Sequence, residues 1–398
     1  LDELEDIVER EMHKKKSVRK RNADNRKTAV KHGTFVPPRP QEPSVEYIAE
    51  YRMLLRMTPE NFDNLLALIS TKIQRGDTLL HEALLPRVML EVTLNFLATG
   101  SSYQTLQCCF HVSKAAISNF VPKVCNAISD SLKEYIKVPT SQEQWQTISD
   151  GFRDTWDLPG CCGAVDGKHL LISTASAECF HYRGSNSLVL IAVVDHKYCI
   201  TYFEVCKKGS QTNNNIFQNC KLFDRLEKQL LPNGNFLVSD DAFPLKTYLM
   251  KPYVQTTKPL TTEEKIFNYR LSAARKPVEN FFGILLSRFR ALDRRLSVKL
   301  DTVNKLVSAA CALHNWLTLT SSDTYLFNGA VDVQNKETGG TVHGRWRSEI
   351  MELRNLGKYD DRETTEAARD MRSQLKEYFS GEGAVPWQYD AVNGNSAK

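Results

Sequence analysis

The sequence has no C-x-x-C pair, although it holds ten cysteines. Cys108/Cys109 and Cys161/Cys162 are immediate neighbours, a spacing unlike the paired ligands of zinc fingers and ribbons. Cys199, Cys206 and Cys311 lie in apolar stretches, where a free thiol packs as a small hydrophobe, so the cysteines are expected to be reduced and structural. No apolar run approaches the roughly 18 residues that a membrane-spanning helix needs. The charged start at Leu1 shows no secretory leader pattern, which leads to the expectation of an intracellular, non-membrane protein. Neither sign of charge dominates. The net charge is +5, with 41% apolar and 25% charged residues, the composition of a globular protein. So small an excess says little about nucleic acid; its distribution says more.

The positive charge gathers first in residues 1–34, around Lys14, Lys15, Lys16, Arg19, Lys20 and Arg21. With little apolar content this arm cannot bury a core, and it reads as a disordered segment that binds DNA phosphates or directs the chain to the nucleus. The competing reading is a solvated helix face. Residues 35–44, with Pro37, Pro38, Pro40 and Pro43, form an extended linker.

Residues 45–140 carry helical periodicity. Thr58 caps a helix with Pro59 in its first turn and an apolar stripe of Phe62, Leu65, Leu66 and Ile69. A second helix runs from Leu85 to Thr99 and stops at Gly100. A short helix from Ser102 to Phe110, a turn at His111-Val112 and a helix capped by Ser113 then have the outline of a helix-turn-helix. In that motif the second helix leads with Lys114, Ser118 and Asn119 toward DNA, while Leu106, Val112, Ile117 and Val121 hold the pair together. Helix pairs of this length are also common in structural bundles, and Pro122 is expected to shorten or bend the helix.

From Gly160 the pattern turns to strands. Cys161 to Ile172 is an apolar run broken by Asp166, a carboxylate that needs a partner if buried. Leu188 to Val194 and Tyr198 to Val205 read as a hairpin, Ile216 to Leu231 as a helix, and Phe236 to Asp240 as a short strand ending in a carboxylate. Glu279 lies in a helical stretch from Thr262 to Arg290, with Arg275 at the i, i+4 spacing that lets a guanidinium reach it. Pro277 implies a kink or a fresh helix start. Each acid alone is best read as a cap or an ion-pair partner. Together, on two strands and a following helix, they could converge as hard oxygen ligands for Mg²⁺ or Mn²⁺.

The blocks Gly163-Ala164-Val165-Asp166-Gly167-Lys168-His169, Ser239-Asp240-Asp241-Ala242-Phe243-Pro244-Leu245 and Ser272-Ala273-Ala274-Arg275 through Val278-Glu279-Asn280 with Phe282-Gly283 resemble the three signature blocks of Harbinger/PIF transposases and their domesticated relatives. The resemblance implies an α/β, RNase H-like fold with a five-stranded mixed sheet and flanking helices, preceded by an all-α helix-turn-helix domain. It implies that Asp166, Asp240 and Glu279 hold two Mg²⁺ (or Mn²⁺) ions, with Arg275 and His169 in support. It also places the second ligand at Asp240 and not at Asp241. Asn213 stands where relatives often carry an aspartate. The implied partners are double-stranded DNA, as transposon terminal inverted repeats and target, a separate Myb-like DNA-binding protein, and further copies of the chain. On this reading residues 141–330 are catalytic and 331–398 are a helical extension packed on them.

A second basic cluster, Arg288, Arg290, Arg294 and Arg295, follows the Glu279 helix and suits either DNA phosphates or solvent. Three functions stay open: a transposase that cuts transposon ends and joins the 3′-hydroxyl to target DNA, a domesticated DNA-binding protein, and a nuclease without strand transfer.

Overall fold

The computed structural model describes residues 44–74, 76, 83–174, 176, 179–206, 220–255, 257–335, 340–358 and 364–393. The basic arm with Lys14 to Lys16 and Arg19 to Arg21, nearly all of the proline-rich linker, and Asn213 lie outside them.

Helices α1 (Val45–Leu55), α2 (Pro59–Ile73), α3 (Pro86–Thr99), α4 (Tyr103–Phe110) and α5 (Lys114–Ser131) come first. Their ends follow local chemistry. The Thr58 hydroxyl accepts from the Asn61 amide with Pro59 in the first turn, and Gly100 closes α3 with φ 66°, a left-handed conformation that glycine adopts freely. Ser102 and Ser113 cap α4 and α5 in the same way as Thr58. Pro122 neither shortens nor ends α5, which runs on to Ser131. Val121, Val124, Cys125 and Ile128 are fully buried, and that packing outweighs the one backbone hydrogen bond that proline forgoes.

After α6 (Gln142–Trp156) come β1 (Cys161–Leu171), β2 (Phe180–Tyr182), β3 (Ser185–Val194), β4 (Ile200–Cys206), α7 (Lys221–Glu227), β5 (Phe236–Val238) and β6 (Leu249–Met250). They form one mixed sheet in the order β2-β3-β1-β5-β6, with β4 also on β3. β1 pairs antiparallel with β3 and parallel with β5. The sheet has six strands where five were expected; the extra one, β2, is a three-residue strand on the first residues of β3. Of the helix read over Ile216 to Leu231, residues 216–219 lie outside the described ones, Lys221–Glu227 is helical, and the polypeptide leaves it through Gln229 at φ 58°.

Helix α8 (Thr262–Arg288) is continuous through Pro277, with neither a break nor a new start. Its many buried residues, among them Val278, Phe281, Phe282 and Leu285, and its packing on β1, β3 and β5 hold its path. Helix α9 (Leu300–Thr320) packs against α5, so the N-terminal helices share one hydrophobic core with the sheet. The chain ends in α10 (Ser322–Tyr325), the hairpin β7 (Val333–Gln334) and β8 (Thr341–Val342), α11 (Trp346–Glu349), α12 (Glu366–Ser380) and α13 (Gln388–Asn393). α11, α12 and α13 all pack on α8.

Candidate active site

Three acids separated widely in sequence meet around one arginine. Asp166 lies mid-strand on β1 with no exposed surface, because that strand is covered on both faces. Asp240 follows β5, the parallel neighbour of β1, so the pairing of the two strands brings their carboxylates to one side of the sheet. Glu279 comes from α8. The Arg275 guanidinium lies 3.5 Å from Asp166 Oδ2, 3.5 Å from Asp240 Oδ2 and 3.6 Å from Glu279 Oε1. The first two contacts use the same nitrogen, so those two carboxylate oxygens lie within at most twice that distance of each other.

The charges are balanced by more than Arg275. Lys168, two residues along β1 and therefore on the same face as Asp166, is buried with its ammonium 2.6 Å from Asp166 Oδ2 and 2.7 Å from Asn355 Oδ1. The Gly167 amide donates to Asp166 Oδ1 at 2.6 Å. Asp240 Oδ1 accepts from the Ala242 amide at 3.0 Å. Burial, and after it the like charge of Asp166, push the Asp240 carboxyl up to about 6 against the opposing pull of Arg275 and Lys168. For Arg275 burial disfavours the charge, but Asp166, Asp240 and Glu279 together outweigh it and hold the guanidinium protonated.

Glu279 also faces Arg347, 3.9 Å from its Oε2. Arg347 is fixed in turn by buried Asp332 and by stacking over the Trp346 ring. Asn280, the next residue of α8, ties this corner together. Its Oδ1 accepts from the Asp332 amide and the Trp346 indole, both at 2.8 Å, and its amide donates to the Asp332 carbonyl at 3.2 Å. The indole sits where Gly283 leaves room, since a Cβ on that glycine would lie 2.1 Å from the ring. The Phe282-Gly283 block is therefore a seat for Trp346.

The Asp241 carboxylate lies 3.7 Å from the Lys358 ammonium. His169 lies on the other face of β1 from Asp166, where its Nδ1 meets Ser187 Oγ at 2.9 Å between the rings of Phe180 and Tyr182. It is not brought to the acids. Arg288 is half-buried and stacks on Tyr325 and Phe327; Arg290 is also half-buried. Lys114, Ser118 and Asn119 are exposed at the start of α5 and line a groove of about 910 Å³ whose other walls include Ser173, Thr174, Lys299 and Lys305. Lys168, Arg347, Asp332 and Asn280 were not singled out from sequence. The alternation along β1 could have flagged Lys168, while the others depend on contacts between α8 and a segment 52 to 66 residues beyond Asn280 in the chain.

The donor set suits a hard divalent cation: carboxylates only, on one side of a sheet, with the Asp240 carboxyl pushed up by burial and then by the like charge of Asp166. At present Arg275 supplies the positive charge at their centre.

Residues 165–315, which contain all three acids, match the DDE superfamily endonuclease family. The chain is 28% identical over 273 residues to the candidate nuclease HARBI1 of Bos taurus and, to the same extent, to that of Homo sapiens, which covers 67% of this chain and 77% of each relative. It is 24% identical over 247 residues to the Arabidopsis thaliana protein antagonist of like heterochromatin protein 1, covering 56% of this chain and 60% of that relative. No solved structure matches it. These matches bear out the Harbinger-type, DDE transposase-derived kinship that the three signature blocks resemble.

Proposed function

For a chain of this DDE, transposase-derived kind, we propose that it cuts double-stranded DNA at transposon-type ends and joins the freed 3′-hydroxyl to a second duplex, on an RNase H-like sheet that works in the nucleus. The observation that carries the proposal is the meeting of Asp166, Asp240 and Glu279 around Arg275. Asp166, Asp240 and Glu279 are the residues that would hold two Mg²⁺ or Mn²⁺ ions. Such ions, when bound, supply activation of the attacking oxygen and stabilisation of the leaving one.

The chain's own residues do the rest. Lys168 and the Gly167 amide fix the Asp166 carboxylate from two sides, which sets its orientation before any cation arrives. Arg347 holds Glu279 from the side opposite Arg275. Arg275, once released from the carboxylates, has a planar donor fork suited to a DNA phosphate. Asp240 must lose its proton to serve as a ligand, and its raised pKa makes that loss the pH-sensitive step. Duplex DNA would lie along the groove that Lys114, Ser118 and Asn119 share with Lys299 and Lys305. The basic arm adds contacts that do not depend on sequence. A Myb-like partner and further copies of the chain complete the proposed assembly.

A second reading, cutting without joining, is favoured by the nuclease name of the HARBI1 relatives. One assay tests both. The chain is incubated with Mg²⁺ and labelled DNA bearing candidate terminal repeats plus an unlabelled target duplex, with and without a Myb-like protein. Label in the target supports joining, and cut ends alone support the second reading. No cutting with either metal or partner overturns the proposal.

A further inference from the structure

Two cysteines and a glutamate gather on the face of the sheet away from Asp166. Glu204 pairs across β3 with Ile191 and so aligns with Gly167, and Cys206 aligns through Val189 with His169. Residues in register across neighbouring strands share a face, so both side chains lie opposite Asp166 and Lys168. Cys220, just before α7, comes to meet them. One ligand atom from each of Glu204, Cys206 and Cys220 lies within 4.8 Å of the other two.

Hydrogen bonds tie the cluster together. Glu204 Oε2 accepts from the Tyr202 hydroxyl at 2.7 Å, the Lys221 amide at 3.0 Å and the Cys220 thiol at 3.1 Å. Among the described residues no cation pairs with Glu204. Cys206 and Cys220 are buried. The hydrogen bond to Cys206, burial and Glu204 all hold the Cys220 thiol far above its ordinary range. Two buried thiols and a carboxylate thus lie within ligand reach of one another, with no partnering cation among the described residues.

We propose that Glu204, Cys206 and Cys220 hold a zinc ion, distinct from any ion at the three acids. Two sulfurs with one carboxylate suit zinc better than magnesium. Tetrahedral zinc with ordinary bond lengths sets its two sulfurs about 3.8 Å apart and each about 3.5 Å from the oxygen; the Cys220 sulfur lies 3.1 Å from Glu204 Oε2, and the three ligand atoms all lie within 4.8 Å of one another. Binding displaces one proton from each thiol to solvent. Residues 207–219, which join Cys206 to Cys220, include no histidine, cysteine, aspartate or glutamate. The connecting segment therefore offers no further side chain of these types as a ligand. The ion would pin β4 to the start of α7, across the segment that separates them in sequence.

Cobalt(II) added to the full chain, reduced and freed of metal by chelator, is the test. The expected result is a near-ultraviolet thiolate-to-cobalt band, bleached by one equivalent of Zn²⁺. Cys206→Ser and Cys220→Ser each weaken binding about a hundredfold or more, since losing a ligand costs at least as much as losing its supporting partner. Glu204→Gln keeps the band and weakens binding about tenfold. The triple variant Asp166→Asn, Asp240→Asn, Glu279→Gln keeps the band unchanged, because carboxylates give none. Absence of the band, its survival in Cys206→Ser, or its loss in the acid triple variant overturns the proposal. So does a Cys206–Cys220 disulfide, seen as a two-hydrogen mass deficit, in protein that takes up no cobalt after reduction.

Discussion

Replacing Arg275 with glutamine removes the one cation shared by all three acids. The loss is bounded because each carboxylate has another outlet. Removing one partner of a buried ion pair costs about 3 to 5 kcal/mol when the charge left behind has nowhere to go. Asp166 keeps Lys168 at 2.6 Å. The Glu279 side chain is 27% exposed and keeps Arg347 at 3.9 Å. Asp240, with its pKa near 6, can take up a proton at pH 7 for about 1.4 kcal/mol, the worth of one pH unit. The expected destabilisation is therefore about 2 to 3 kcal/mol in EDTA at pH 7, read by urea denaturation. Millimolar Mn²⁺ should then stabilise the variant more than the native chain, because in the native chain the ion must first displace the guanidinium. Loss of less than about 0.5 kcal/mol in EDTA, or an equal response to Mn²⁺ in both proteins, would refute the reasoning that Arg275 occupies the cation's place.

Asp166→Asn, Asp240→Asn and Glu279→Gln should each abolish cleavage with DNA affinity kept within a few-fold, whereas Asp241→Asn should cut normally; the opposite behaviour of the two neighbouring aspartates would reverse the ligand assignment. Asp240 titrates near 3.8 unfolded and about 6 folded, so between those values the native state binds the extra proton and stability rises as pH falls from about 6 to about 4. Asp240→Asn should flatten that slope in metal-free denaturation, and metal-dependent cleavage by the native chain should fall below about pH 6. Gly283→Ala drives a methyl into the Trp346 ring and should cost about 2 kcal/mol or more, with a red shift in tryptophan emission that marks the indole's release. Alanine at Lys114, Ser118 and Asn119 should reduce discrimination between terminal-repeat and random DNA, while neutralising Lys14, Lys15, Lys16, Arg19, Lys20 and Arg21 should weaken both alike and flatten the salt dependence. Equal losses from the first set on both DNAs would make α5 purely structural.

Local rules wrote much of this fold into the sequence. Thr58, Ser102, Ser113 and Gly100 mark helix ends by hydrogen bonds and backbone freedom within a few residues, and such signals survive in any tertiary context. The prolines do not end their helices, for the complementary reason. Pro122 and Pro277 each cost their helix one hydrogen bond, but the packing that repays it comes from other elements, which a local pattern does not contain. The acids were legible only as a set, one inside an apolar strand, one ending a strand and one in a following helix, and Arg275 because one helical turn separates it from Glu279. Its reach to Asp166 and Asp240 was not legible, since it depends on how α8 crosses the sheet. His169 shows the limit of reading a motif as a unit: it neighbours Asp166 in the chain, yet strand alternation turns it to the other side. The thiols of Cys206 and Cys220 were read one at a time as core residues, and only the turn back from α7 to β4 sets them together.

The Asn280 node also bears on where this protein can be cut. Its three hydrogen bonds reach residues that lie beyond the family-matched stretch, which closes at residue 315, yet they hold the helix turn that carries Glu279. A fragment trimmed to the matched stretch would keep every acid and still lose the Trp346 wedge over Gly283, Asp332 and the Arg347 that steadies Glu279. The smallest unit that keeps this site's scaffolding is thus longer than the stretch by which the family is recognised. A gene fusion or premature stop that spared residues 165–315 would leave a chain with its signature intact and its active-site scaffolding gone.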